Sequence, residues 1–241
     1  MLFRSLTYDP AEITRIYAGH PQRLLRRLWQ TLVPIGLLLI GIGFDWIFQL
    51  LKDQQRARNR ARECAELLVD LAQQAVGRSS VTRWADLGTG SGALAVALAR
   101  LWPASPGHAV DLSVEALGLA ERNLSALAPD ADWTLHQGSW WEPLEPWWGG
   151  FDLVLCNPPY IPNRLIAGLD SVVRDHEPEL ALAGGEDGLL AIRAVVDGAF
   201  QALAPGGWIV LEHHHDQSGE VQQLLRQSGL SRVGSANDLQ G

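Results

Sequence analysis

From about residue 64 onward the sequence predicts an α/β fold, a mostly parallel sheet with helices on both faces. Three observations carry this expectation. Strand-length apolar runs alternate with helix-length amphipathic runs, a glycine loop joins the first strand directly to a helix, and an acid, Asp111, ends the second strand. In order, Glu66 to Val76 has the apolar period of a helix, and Arg83 to Leu87 is a short buried strand. Ala93 to Leu101 follows as a helix and His108 to Leu112 as the second strand. Val114 to Leu127 is again helical, Trp133 to Gln137 is the third strand, and Phe151 to Cys156 is the fourth. A helix near Gly188 to Leu203, a strand from Trp208 to Glu212 and a helix from Gly219 to Ser228 complete the pattern. Ligands of such sheets sit at the carboxyl ends of the strands, which directs attention to the loops there.

Charge divides the chain into residues 1–62 and 63–241. The first part carries ten Lys/Arg against four Asp/Glu, hence +6. Because the whole chain is −8, the second part is −14. An acidic domain repels phosphate backbones, so direct nucleic-acid binding is disfavoured. Two cysteines, Cys64 and Cys156, make no disulfide framework and suit free thiols in a reducing cytoplasm.

Leu28 to Phe44 is an uncharged, largely apolar run flanked by Arg23, Arg26 and Arg27 on one side and Lys52, Arg56, Arg58, Arg60 and Arg62 on the other. Asp45, Pro34, Gly36, Gly41 and Gly43 argue against a full membrane span. Two readings stand: a helical hairpin packed on protein, or a basic helix contacting a membrane surface through residues 23–62.

In "WADLGTGSGALAVALA" a strand runs into Gly88, Thr89, Gly90, Ser91 and Gly92, and then into a helix. Glycines in such a turn permit positive φ and let the backbone approach a ligand. Asp111 can accept hydrogen bonds from both hydroxyls of a ribose, so loop and acid together point to an adenosine-containing cofactor. The spacing lacks the third glycine of a dinucleotide fingerprint and leans toward S-adenosylmethionine. Asp86 is either a second ligand or a strand-end acid supporting the loop, the latter being favoured.

"FDLVLCNPPYIP" places Asn157, Pro158, Pro159 and Tyr160 where the fourth strand leaves the sheet. Successive prolines hold their neighbours extended and stiff. The Asn157 side-chain carbonyl and the Pro158 backbone carbonyl then form a two-acceptor clamp for an –NH₂ group. An amide or exocyclic nitrogen is a poor nucleophile, and accepting both its N–H bonds aims it at an electrophilic methyl. Tyr160 either stacks on the planar target or closes the pocket as packing.

The segments "DLGTGSGALAVALA", "VDLS", "GSWWEPL", "NPPYIP", "HEPELALAGGEDGL" and "LEHHHDQ" together resemble the HemK/PrmC family of protein-glutamine N-methyltransferases that modify peptide chain release factors. The resemblance runs from about Glu66 to Gly241. It implies a Rossmann-like class I S-adenosylmethionine-dependent methyltransferase fold, and cofactor contacts from Gly88, Thr89, Gly90, Ser91, Gly92, Asp111, Trp140 and Asn157. It also implies that Asn157, Pro158, Pro159 and Tyr160 bind the glutamine of a Gly-Gly-Gln loop, with Asn157, Pro158 and Tyr160 acting in catalysis. Ser139 stands where many members carry an acid, and the family's N-terminal recognition domain is not recognisable. The chain stops in "NDLQG" before the family's last, antiparallel strand, whose slot is expected to be empty. The first 62 residues, with "YDPAEITRIYAGHPQRLLRRL" ahead of the apolar run and "NRARE" after it, instead resemble the opening segment of UbiB-type atypical kinases. Methylation of a ribosomal-protein glutamine or a nucleic-acid amine, and an inactive membrane-associated relative, are the competing readings.

His213, His214 and His215 follow a strand without a matching carboxylate or cysteine set, so no metal is expected. Trp147 and Trp148 read as packing, and Asp187-Gly188 and Glu177-Pro178 as turn and cap chemistry shaping a pocket wall.

Overall fold

The computed structural model describes residues 66–76, 81–168 and 179–236. The basic N-terminal segment with its membrane or hairpin readings, Cys64, Glu177-Pro178 and the final "NDLQG" after Ala236 lie outside them. Within the described residues the order is α1 (66–76), β1 (Trp84–Leu87), α2 (Ala93–Leu101), β2 (Gly107–Asp111), α3 (Val114–Leu127) and β3 (Trp133–Gln137). Then come a 3-10 turn (Glu142–Trp147), β4 (Phe151–Cys156), two single-turn helices, α4 (Asn163–Ile166) and α5 (Glu179–Leu182), α6 (Leu190–Ala202), β5 (Leu203–Leu211) and α7 (Ser218–Gln227).

All five strands are parallel, in the order β3-β2-β1-β4-β5. The chain winds outward from β1 through β2 to β3, then returns to lay β4 on the other side of β1. Strand order therefore reverses between β1 and β4, and Leu87 at the end of β1 stands in register with Cys156 at the end of β4. A crevice opens at such a switch point because the connections leave on opposite faces. Two motifs far apart in sequence, the glycine loop and Asn157-Pro158-Pro159-Tyr160, emerge there side by side.

The central strands β1, β2 and β4 are buried on both faces, which is why they read as short apolar runs, whereas the edge strands β3 and β5 are only partly covered. Trp84, Leu153 and Leu155 face the cluster that includes Leu68, Ala72, Leu94, Leu98 and Leu124, while Ala85, Leu87, Val154 and Cys156 face Val195 and Ala199. In α3 the buried pair Ala120 and Leu124, four residues apart, forms the inward stripe, and Ser113 caps the helix by accepting from the Ala116 amide at 3.2 Å. Cys156 is a buried free thiol, and burial first, then the nearby Asp86 and Glu212, pushes its pKa up.

β5 starts five residues earlier than expected. Leu203 pairs with Phe151 and the next partners are Trp208 and Leu153, so residues 204–207 bulge between them. Pro205, Gly206 and Gly207 mask this strand start in sequence. Among the described residues β5 pairs with β4 alone, and residues 232–236 form no strand. No helix among the described residues is long and apolar enough to cross a membrane.

A histidine pair sits inside the sheet. His108 on β2 is only 4% exposed, its Nδ1 lies 3.0 Å from Nε2 of His136 on β3, and the Trp147 ring packs 4.5 Å from it. Burial, then His136 and Arg83, push the His108 pKa from 6.5 down to about 4. The unfolded chain thus binds more protons than the folded one between those values. Stability from His108 is complete above pH 6.5 and is lost as pH falls to about 4, a loss of about 3 kcal/mol. Asp86 works in the opposite sense: burial raises it to about 6, so its contribution is complete below 3.8 and lost as pH rises through 6. A His108→Leu variant should lose less stability on acidification from pH 6.5 to 4 than the parent, whereas Asp86→Asn should lose more. Urea unfolding at stepped pH measures both slopes.

Candidate active site

The loop after β1 turns the chain within five residues. Gly88, Gly90 and Gly92 have φ of +72°, +53° and +79°, all in the left-handed region. A Cβ on Gly92 would lie 3.0 Å from the Ala120 backbone, so this glycine also lets α2 and α3 approach. An added Cβ on Gly90 would meet nothing within 4 Å: that part of the loop faces open space.

Two acids hold the loop. Asp86, wholly buried, accepts through Oδ2 from the Thr89 hydroxyl at 2.6 Å and the Ala95 amide at 3.0 Å, tying strand, loop and helix together. This is the supporting role its place before the glycines suggested. Asp111 accepts from the Gly90 amide at 2.8 Å through Oδ2 and from the Ser113 amide at 2.9 Å through Oδ1. Each oxygen keeps a second lone pair, so this half-buried carboxylate can accept two further hydrogen bonds. The Asn123 side chain secures the loop by donating to the Ser91 carbonyl at 2.8 Å.

Trp140 closes one side. Its φ of +49° is left-handed, which costs a non-glycine residue about 1–2 kcal/mol, and the ring comes within 3.2 Å of where a Gly88 Cβ would stand. Leu112, next to Asp111, is an apolar side chain 56% exposed at the same rim. Sequence reading passed it over because "VDLS" draws attention only to the acid. At Ser139 the backbone amide donates to Glu142 Oε2 at 3.4 Å, so an acid from the following turn stands beside that position.

Asn157 leaves β4 exposed, and its side-chain amide has no hydrogen-bond partner among the described residues. The segment behind it is held at many points. Ile161 forms a parallel bridge with Ala183: its amide donates to the Leu182 carbonyl at 3.1 Å, and its carbonyl accepts from Gly184 at 2.9 Å. The Asn163 amide donates to the Gly185 carbonyl at 2.8 Å. Of the two readings of Tyr160, the ring packs on the cluster of Leu189, Ile192, Val196 and Val221, while its hydroxyl donates to Glu212 Oε1 at 2.8 Å. Glu212 and Gln217 went unassigned in sequence although both lie in "LEHHHDQ", where the three histidines are the more conspicuous residues. Two of those histidines bond locally: His213 Nδ1 lies 2.8 Å from the His214 carbonyl and His214 Nδ1 lies 2.6 Å from Asp216 Oδ1, while the His215 ring lies 4.2 Å from that of His214.

Asp187 caps the turn before α6, accepting from the Leu189 amide at 3.0 Å and pairing with Arg193 at 2.6 Å. Hydrogen bonds from Arg193 and then Leu189 hold its carboxyl down at about 2.

The family model described as "Methyltransferase small domain" matches residues 58–168. A release factor glutamine methyltransferase of Prochlorococcus marinus is 54% identical over 182 residues, covering 75% of this chain and 62% of the relative. The chain thus spans somewhat less than two thirds of that relative's length. Proteins of the same name from Thermosynechococcus vestitus and Gloeobacter violaceus are 38% and 43% identical, covering 91% and 94% of this chain and 75% and 82% of theirs. Among solved structures, the catalytic domain of hMettl16 in complex with a 3'UTR hairpin superposes with a TM-score of 0.54 at 17% identity over 72% of this chain and 64% of that one, a likeness of fold. On identity and coverage together, this chain belongs to the release factor glutamine methyltransferase family.

Proposed function

We propose that residues 63–241 transfer a methyl group from S-adenosylmethionine to the side-chain amide nitrogen of a glutamine in a peptide chain release factor. The observation that carries this reading is Asn157: an exposed, unengaged amide beside the glycine loop, at the root of a stiff, anchored segment, in a chain of this family. The crevice residues fit the cofactor. Asp111 has two lone pairs left for ribose hydroxyls, Gly90 faces open space, and Trp140 and Leu112 offer apolar surface for an adenine.

S-adenosylmethionine supplies, when bound, a sulfonium-activated methyl group. The chain's part is positioning. The Asn157 side-chain carbonyl and the Pro158 carbonyl accept the two N–H bonds of the target amide, which orients its nitrogen and favours pyramidal geometry as the new bond forms. Pro159 and Tyr160 wall the pocket and keep the acceptors from swinging. Acceptors already in place cost no reorganisation when positive charge grows on the nitrogen; as the N–C bond forms the methyl–sulfur bond would break, leaving a neutral thioether, and the surplus N–H proton would pass to solvent.

Incubation of the full chain with radiolabelled S-adenosylmethionine and a release factor should place label on the factor. A factor with its Gly-Gly-Gln glutamine replaced by alanine should take none, and equal labelling of both would refute the glutamine assignment. Label on RNA or DNA in preference to protein would refute the protein-substrate reading altogether.

A further inference from the structure

Gln217 is a polar side chain that is 4% exposed and used on both ends. Its Oε1 accepts from the His214 amide at 2.9 Å, while the Gln217 amide returns a bond to the His214 carbonyl at 2.9 Å, so one end closes the turn after β5. The other end points at two neighbouring loops. Nε2 donates to the Tyr160 carbonyl at 3.0 Å and reaches the Asp187 carbonyl at 3.4 Å. One amide thus joins three loops, after β4, before α6 and after β5, of which the first two are also tied by the Ile161–Ala183 bridge. Gly188 makes room for the junction. It is buried with φ of +81°, and a Cβ there would collide with both the Tyr160 carbonyl and Gln217 Nε2.

We infer that Gln217 is a positioning residue for methyl transfer, acting through the Tyr160 carbonyl on the segment that carries the two acceptors; this rests on the transferase reading above. Asn157 and Tyr160 are separated by two prolines whose φ is fixed, so the four residues move as a short stiff rod. One end of the rod is set by β4, where Cys156 stands in register with Leu87 and Leu211. The other end is set by the Ile161 bridge and by Gln217. Without the Gln217 donor the Tyr160 carbonyl is left inside the fold without this partner and tends to turn toward water. The rod then pivots about β4, and the acceptors at its root rotate with it. Gln217 touches none of the cofactor-side residues Gly88 to Gly92 or Asp111, so cofactor affinity should be spared.

Gln217→Glu keeps the acceptor for the His214 amide but sets an oxygen against two carbonyls, and Gln217→Met fills the same space with no hydrogen bond. In the full chain both should lower kcat for release-factor methylation about 10- to 100-fold, since a displacement on the order of 1 Å costs that much. The Kd for S-adenosylmethionine, measured by calorimetry, should stay within about twofold. Wild-type kcat in both variants, or a parallel loss of cofactor affinity, overturns the inference. Should the parent chain bind S-adenosylmethionine yet methylate no release factor, the transferase reading fails separately. Hydrogen exchange at the Ile161 and Gly184 amides then decides: faster exchange in Gln217→Met supports the clamp, and unchanged exchange overturns it.

Discussion

Asn157→Ala should lower the kcat of release-factor methylation by about 100- to 1,000-fold, the range for removing one preorganised group that acts on developing charge. The large effect follows from what the side chain does and does not touch. It is exposed and has no hydrogen-bond partner among the described residues, so its removal costs the fold little, and the melting temperature should not move. In the proposed complex it supplies one of only two acceptors, and without it the target amide can rotate out of line. Asn157→Gln displaces the same carbonyl by one methylene and should recover little of the rate. Single-turnover assays with cofactor in excess separate this loss from any change in cofactor affinity. A rate within threefold of the parent would remove Asn157 from the mechanism.

Asp111→Ala should weaken S-adenosylmethionine binding by roughly 100-fold. Two hydrogen bonds to a charged acceptor, at about 1.5 kcal/mol each, amount to that ratio. The carboxylate also fastens the Gly90 amide and the Ser113 amide, so the loop and the start of α3 lose a shared anchor. Ser113→Ala serves as the control. It removes the hydroxyl that caps the Ala116 amide, costs about 1 kcal/mol of stability, and leaves the Asp111 carboxylate in place. Titration calorimetry should therefore show a large fall in affinity for Asp111→Ala and a small one for Ser113→Ala. Equal effects would assign Asp111 to the scaffold.

Much of the fold was legible because the central strands are buried on both faces and the helices between them keep apolar residues at helical spacing on one side. α2, α3, β3 and β4 fall on the residues that periodicity assigned. Boundaries moved where local chemistry competes with pattern. α6 was expected from Gly188 but begins at Leu190, because Gly188 takes a left-handed φ and Asp187 captures the Leu189 amide. β5 was expected from Trp208 but starts at Leu203, because pairing with Phe151 extends it across a Pro-Gly-Gly bulge.

The glycine loop, Asp111 and Asn157-Pro158-Pro159-Tyr160 could be read from sequence alone because each places its chemistry in contiguous residues whose backbone preferences are local. Left-handed glycines and fixed proline φ angles do not depend on what packs against them. Tertiary structure decided that these pieces share one crevice, since that requires β4 to lie beside β1, with Leu87 next to Cys156. It also decided how Tyr160 is held, by Glu212 and Gln217, 52 and 57 residues further along the chain. Partners so distant are chosen by the order in which strands cross the sheet, and no local propensity of the residues involved encodes that order.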